Sequence, residues 1–401
     1  MMHSFIARYR FPVILSTAFL DLLGVGVLIP VLPDILRFFQ LSGAWAGYSQ
    51  ALYALSTFLV AFWIGWISDR RWRRPMIFLT SFANALWSFL LLLSLIGVLS
   101  LHTAIILFLI SRFVSWVSGA WFGVVQAMIS DIAPREERTK YFGLMGATFG
   151  LAFLIGPFIG GVLSVTFWLM SIPVVMLAAA CINLLSIYFI LPETHNPSLK
   201  NTTQDFVRAS LIRDDHGLLL LFVLSAGVVF AFSIMTTLSS QYYWDLFRMN
   251  AHDIALVFSW IGLTSIIYQG AVTRHLRSRW SHQTLLTASL LLFIASFLWF
   301  ASMNKEWMVY IWMILMPVAM WTLNPTLNSL LTIGREYESG RIMGINMSVT
   351  GAANVLGPVL GAMMYAYSIR LPFFFGAIVF LVLLWLFLIG SRWIFSSKSS
   401  R

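Results

Sequence analysis

The sequence predicts an all-α membrane protein: twelve transmembrane helices in two pseudo-symmetric six-helix bundles. Three observations carry this. Of the 401 residues, 60% are hydrophobic and 10% are charged, against roughly 25% charge in soluble domains, so no soluble core accounts for the deficit. The apolar residues form long continuous runs rather than ten-residue alternations, which selects helices over a barrel. The basic residues and a set of glycines follow a pattern that only a helical, internally repeated protein requires.

A bilayer span needs about 20 mostly apolar residues. The first run, 12–38, follows Arg8 and Arg10. It is too long for a signal peptide, contains Asp21 and lacks a small-residue cleavage site, so it is read as a retained span. The second, 44–67, stops at the polar stretch from Ser68 to Arg74. The third is 75–98. The fourth, 103–130, carries Arg112 in its interior, and the fifth, 140–163, is rich in glycine. The sixth, 168–191, ends at Pro192, where the longest polar connection begins. Beyond it lie 218–243, 252–273, 283–303, 307–331, 341–365 and 371–391. The expected organisation is thus an N-terminal bundle over 1–191, a linker over 192–217 and a C-terminal bundle over 218–401.

With both termini cytoplasmic, every second connection is cytoplasmic. Twenty of the 25 Lys and Arg residues then lie on that side and four on the other (Arg37, Arg248, Lys305 and Arg370), while Arg112 stays inside. The positive-inside rule produces this bias, and one missed or invented span would scramble it. The net charge of +10 is therefore topology, not nucleic-acid binding. Anionic lipid of the inner leaflet is the expected contact of the basic loops. The single cysteine, Cys181, excludes a disulfide framework and a thiolate metal site; inside an apolar run it reads as a small core residue.

The two halves repeat. Gly143, Gly150, Gly156, Pro157 and Gly160 return 201 residues later as Gly344, Gly351, Gly357, Pro358 and Gly361. One offset for five glycine and proline positions implies parallel repeats about an axis along the membrane normal, with a polar site between them at mid-depth.

Asp21 and Arg112 are the two charges that topology does not explain. A charge at bilayer depth costs about 2.5–3.5 kcal/mol even on lenient insertion scales, so an embedded acid and base mark a functional site or a structural pair. At 1.5 Å per residue Asp21 sits about 13 Å inside the cytoplasmic end of its helix, and Arg112 about as far from the outer end of its own, so water or substrate is expected to bridge them. Polar cavity candidates are Gln50, Tyr53 and Gln126 in the first half, and Gln241, Trp321, Asn324 and Asn328 in the second. The second half has no comparable embedded acid. No phosphate loop, His-x-x-x-His spacing or nucleophile elbow occurs, so neither catalysis nor a bound metal is expected.

The loop Gly65-Trp66-Ile67-Ser68-Asp69-Arg70-Arg71-Trp72-Arg73-Arg74 resembles the signature between spans two and three of the major facilitator superfamily, with Trp72 at the pattern's second glycine. The resemblance implies a cytoplasmic latch. Asp69 would meet the start of span eleven near Gly340 and Arg341, Arg70 would reach Asp131 at the end of span four, and Arg73 and Arg74 would complete the network. An acid at a helix N-terminus gains about 0.3–1 kcal/mol from the dipole. Span five, with Gly146, Gly150, Gly156, Pro157, Gly160 and Gly161, resembles the antiporter signature of drug-efflux members, where small residues admit close helix approach and proline bends the helix. The run from Leu20-Asp21 to Pro33, with Ala51-Leu52-Tyr53, Ser118-Gly119-Ala120 and Leu191-Pro192-Glu193, is similar to the twelve-span drug:proton antiporters, and in this half to tetracycline exporters.

That likeness implies a proton-coupled exporter of an amphipathic small molecule working by alternating access. Asp21 would be the protonation site and Arg112 the matching base. The proton gradient would supply the energy, with no cofactor. Protons, substrate and lipids would be the partners of a monomer in the inner membrane. A dedicated exporter or symporter of one metabolite or siderophore would share the same pattern. A non-transporting ligand sensor is the alternative of another class.

Overall fold

The structure, a computed structural model, describes residues 2–70, 72–132, 138–194, 215–268, 279–332 and 339–396. Every predicted run becomes a helix or a broken helix. The first is α1 (Met2–Leu28), a single 3-10 turn (Ile29–Val31) and α2 (Leu32–Phe38). Pro30 and Pro33 account for the break, because each removes a backbone donor from the ladder. Then follow α3 (Ala44–Arg70), α4 (Arg73–Leu95), α5 (Leu101–Gly119) and α6 (Trp121–Ile132), the last two being one run interrupted at Ala120. The first half closes with α7 (Arg138–Thr166) and α8 (Ser171–Phe189). The second half contains α9 (His216–Phe247), α10 (Ala251–Ile267), α11 (His282–Ala301), α12 (Trp307–Thr332), α13 (Ser339–Tyr367) and α14 (Leu371–Ser396). Among the described residues, ten of the spans are long and apolar enough on their own to cross a bilayer, and α10 is a shorter apolar helix.

Local chemistry sets several ends. Ser100 caps α5 by accepting from Thr103 N at 3.3 Å, and Ser281 caps α11 by accepting from Thr284 N at 3.1 Å. The turns after α2 and α9 each hold one residue in the left-handed region, Gln40 (φ 56°) and Arg248 (φ 58°), so corresponding turns of the two halves share a conformation.

The described chain gathers into two compact units. One contains Met1–Ser42, Leu52–Thr202 and Arg248–Leu263; the other contains Gly43–Ala51, Thr203–Phe247 and Thr264–Arg401. Inside the first, α1 packs on α7 and α8, and α4 on α5 and α8. Inside the second, α9 packs on α13 and α14, and α11 on α12 and α14. These are the same pairings one repeat later, so the glycine repeat of the sequence is a repeat of packing.

The glycines show why. Between helices in lipid there is little hydrophobic drive, and association rests on close van der Waals contact. On α7, a Cβ on Gly156 would lie 2.9 Å from Gly26 Cα, and one on Gly160 would run into the Val27 backbone carbonyl. On α13, the equivalents Gly357 and Gly361 meet α9 at Ser233, Phe230 and Ile234. Gly161 touches α10 at Ala251, His252 and Ala255. Its repeat partner is Ala362, and there the small residue stands on the facing helix instead. A Cβ on Gly47 would lie 2.5 Å from Ala362 Cβ and 2.8 Å from Pro358 O.

One expectation fails here. Cys181 is exposed on the outside of its bundle rather than in the core. An apolar run does not by itself tell which face of a helix turns to lipid.

Candidate transport site

Asp21 is 2% exposed and has a built setting. On α4, Ser81 and Asn84 are three residues apart and therefore share a face. Both turn to α1: Asn84 Nδ2 donates to Asp21 Oδ1 at 2.9 Å, and Ser81 Oγ donates to Oδ2 at 3.3 Å. Asn183 on α8 backs them, donating from Nδ2 to Ser81 Oγ at 3.2 Å and to the Thr17 carbonyl at 3.4 Å. Asn84 Oδ1 accepts from Trp87 Nε1 at 2.7 Å. Buried polar groups must be paired in this way, since an unpaired one costs about 1–3 kcal/mol.

Arg112, on α5, is 7% exposed. Its guanidinium lies 5.6 Å from the ring centre of Tyr53 and 5.7 Å from that of Trp87, both within cation–π range. Asp21 is held by the neutral groups Asn84, Ser81 and Asn183, not by Arg112. Asn84 and Trp87 connect the two charges where the sequence suggested water or substrate. Sequence reasoning missed all four supporting residues. The available signal was amides placed deep in apolar runs, which like charges are costly there and rarely idle.

At one end of the first unit a second polar cluster joins α4, α6 and α8. Arg73 Nε pairs with Asp131 Oδ2 at 2.5 Å, and Arg73 Nη1 donates to Ser68 Oγ at 3.3 Å. Among the described side chains the partner of Asp131 is Arg73, the base that begins α4; the expected Arg70–Asp131 contact lies outside the described residues. The side chains of Gly65, Asp69, Arg70 and Arg341 lie outside the described residues, as does the Asp69–Arg341 contact.

Glu193, not singled out as a site, caps α4. Its Oε1 accepts from Arg73 N at 3.1 Å and its Oε2 from Arg74 N at 3.0 Å. The N-cap residue Trp72 offers no side-chain bond, so this carboxylate satisfies the orphan donors and meets the helix dipole. Arg74 returns the favour to α8, donating to the carbonyls of Ile187 (3.2 Å) and Tyr188. Arg73→Ala leaves the partly exposed Asp131 carboxylate without its charge partner, though Thr194 Oγ1 still reaches it at 3.4 Å. Thermal unfolding in detergent is expected to report a loss of about 1 kcal/mol.

Tyr53 lies at Arg112, as above. Gln50 and Gln126 are half-buried. Gln241 donates to Asp245 at 3.0 Å, and Asp245 also accepts from Tyr365 Oη at 2.7 Å; Gln241 and Asp245 pack against Gly43. Trp321 is half-buried, Asn324 donates to Met320 Sδ at 3.2 Å, and Asn328 is exposed. On α7, Gly156 and Gly160 seat α1, Gly161 seats α10, Pro157 lies inside the helix, Gly150 is buried and Gly146 half-buried. Among the described residues no group of three His, Cys, Asp or Glu side chains is placed to hold a metal.

A multi-pass bundle of repeated helices with a buried acid and base is the form of a membrane transporter. The pattern of the Major Facilitator Superfamily matches residues 14–334, and the chain belongs to that family. It is a transporter of small molecules, not an enzyme. Over 384 residues it is 28% identical to "Tetracycline resistance protein, class B" of Escherichia coli, covering 92% of this chain and 90% of that one. It is 27% identical to "Multidrug resistance protein 2" of Bacillus subtilis, covering 93% and 92%. Among solved structures, the human organic anion transporter MFSD10 superposes with a TM-score of 0.72 at 21% identity, covering 95% of this chain and 99% of that one. A D-xylose-proton symporter superposes with a TM-score of 0.74 at 14% identity, covering 96% of each. The likeness to efflux proteins expected from the first half extends along nearly the whole chain.

Proposed function

We propose that the protein exports an amphipathic small molecule in exchange for protons, by alternating access across the inner membrane. One observation carries the reading. A carboxylate lies at bilayer depth in α1, surrounded by neutral donors rather than paired with a base. A purely structural carboxylate would be cheaper as an apolar residue or beside an arginine. A carboxylate that must gain and lose a proton needs a setting that tolerates both states. The kinship with tetracycline and multidrug resistance proteins supports efflux and drug-like cargo.

In this cycle Asp21 is protonated when it faces outward and releases the proton inward. Arg112, banked by Tyr53 and Trp87, receives the polar or anionic end of the cargo. The proton gradient is the energy source and no cofactor takes part. The working unit is a monomer, with both termini cytoplasmic and the basic loops against anionic lipid. The glycine contacts of α7 and α13 break and re-form as access alternates.

The test uses purified full-length protein in liposomes under an imposed pH gradient, with substrates chosen by a thermal-shift screen of drugs and metabolites. Gradient-dependent flux of a hit is the expected result. Binding without flux under any gradient would assign the protein to ligand sensing instead. A deletion strain sensitive to no drug, yet retaining one metabolite, would replace drug efflux with dedicated export.

A further inference from the structure

We propose that Asn84, aimed by Trp87, is the positioning residue that reserves one oxygen of Asp21 as an acceptor and directs the proton to the other, and that Trp87 thereby ties proton uptake to Arg112. The inference rests on the reading of Asp21 as the proton site. It starts from an asymmetry in the hydrogen bonds. An indole N–H can only donate, so the amide atom of Asn84 facing Trp87 Nε1 at 2.7 Å must be the oxygen. The other end, Nδ2, then faces Asp21 Oδ1 at 2.9 Å with hydrogens and no lone pair. A proton on Oδ1 would set donor against donor. Oδ2 instead faces Ser81 Oγ at 3.3 Å, a hydroxyl that can turn from donor to acceptor.

Proton uptake is then a single bond-making event. A lone pair of Oδ2 takes H⁺ from the aqueous side, the new O–H donates to Ser81 Oγ, and Oδ1 keeps the bond from Asn84 as a carbonyl oxygen. Ser81 Oγ goes on accepting from Asn183 Nδ2 at 3.2 Å, with its own hydrogen turned away from Asp21. Release reverses each step. The groups bonded about this carboxylate are neutral: Ser81 and Asn84 on α4, and Asn183 on α8. The charge tied to this network is Arg112, on the far side of Trp87.

The face of the same indole lies 5.7 Å from the Arg112 guanidinium. A contiguous chain therefore runs from Asp21 through Asn84 and Trp87 to Arg112, and its bistable member is the amide of Asn84. While Arg112 rests on the ring, the indole holds the amide and Oδ1 stays an acceptor. When cargo draws the guanidinium away, the indole is released, the amide can turn over, and Oδ1 meets an oxygen instead of a donor. Cargo at Arg112 is thus registered at Asp21 without the two charges meeting.

The experiment compares wild type, Trp87→Phe, Asn84→Ala, the double variant and Asp21→Asn in liposomes, reading the external pH of half-maximal gradient-driven flux. Phe keeps an aromatic face for Arg112 and removes the N–H together with part of the ring, and Asn84→Ala, which leaves the indole in place, is the matching control. We expect the midpoint to move by about half a pH unit or more in Trp87→Phe. The double variant should show no more shift than Asn84→Ala alone, since the indole acts through the amide. A wild-type midpoint in Asn84→Ala, or additive shifts in the double variant, overturns the link while an inactive Asp21→Asn leaves the proton site standing. Should Trp87→Phe not fold, Asn84→Ala decides by the same midpoint. Gradient-driven flux in Asp21→Asn at the wild-type level overturns the reading beneath it.

Discussion

Asp21→Asn is expected to reduce gradient-driven transport to the level of protein-free liposomes, while substrate exchange without a gradient continues. The asymmetry follows from the site. An asparagine at this position is nearly isosteric with the protonated acid. Its Oδ1 can accept from Asn84 Nδ2 and its Nδ2 can donate to Ser81 Oγ, so both hydrogen bonds survive in the geometry already present. The fold should therefore lose no more than about 1 kcal/mol, within the range of one exchanged hydrogen bond. What the variant cannot do is carry a proton. A melting temperature near wild type together with lost coupling is the signature, read by thermal unfolding and by flux in parallel. Full coupling in this variant would remove Asp21 from the mechanism.

The largest effect on stability is expected at Gly160. The added methyl of Gly160→Ala has nowhere to go, because the atom it meets is the backbone carbonyl of Val27, and a main chain cannot rotate aside as a side chain would. Helices α1 and α7 must part, which opens the Gly26–Gly156 contact as well. Overpacking of this kind costs about 1–3 kcal/mol, with a valine costing more than an alanine. Gly24→Ala supplies the contrast. Nothing lies within 4 Å of its Cβ position, so it should gain about 0.5–1 kcal/mol from helix propensity alone. Opposite signs at two glycines on contacting helices, read by thermal unfolding in one detergent, would establish that the approach of α1 to α7 is set backbone to backbone. Equal behaviour would show that it is not.

The sequence makes the twelve spans legible because each consequence of membrane insertion is written locally. Apolar length marks the spans, and the asymmetry of the arginines is the sequence's argument for their alternation. The repeat was readable because backbone contact leaves glycine few substitutes, so Gly156 and Gly357 remained where other positions drifted. The embedded charges stood out for the same reason of cost. Their company did not. Asn84, Asn183 and Ser81 are uncharged, and a neutral polar residue in an apolar run is common enough to pass unnoticed until three of them converge on one carboxylate from two helices. Trp87 was harder still, since aromatic residues abound and only its hydrogen bond to Asn84 separates it from the others. Arg73, placed in the same network by the sequence, is the described partner of Asp131, and the Arg70 side chain lies outside the described residues.

Each half of the chain lends a helix end to the unit built mainly from the other: Gly43–Ala51 gathers with the later residues, Arg248–Leu263 with the earlier ones. A gene severed at the linker would accordingly encode two polypeptides that are both incomplete. Neither product alone could bury the small-residue faces that α7 and α13 offer to those borrowed turns, at Gly161 and at Ala362. Reassembly from separate messages would have to proceed by mutual completion rather than by docking of two finished parts.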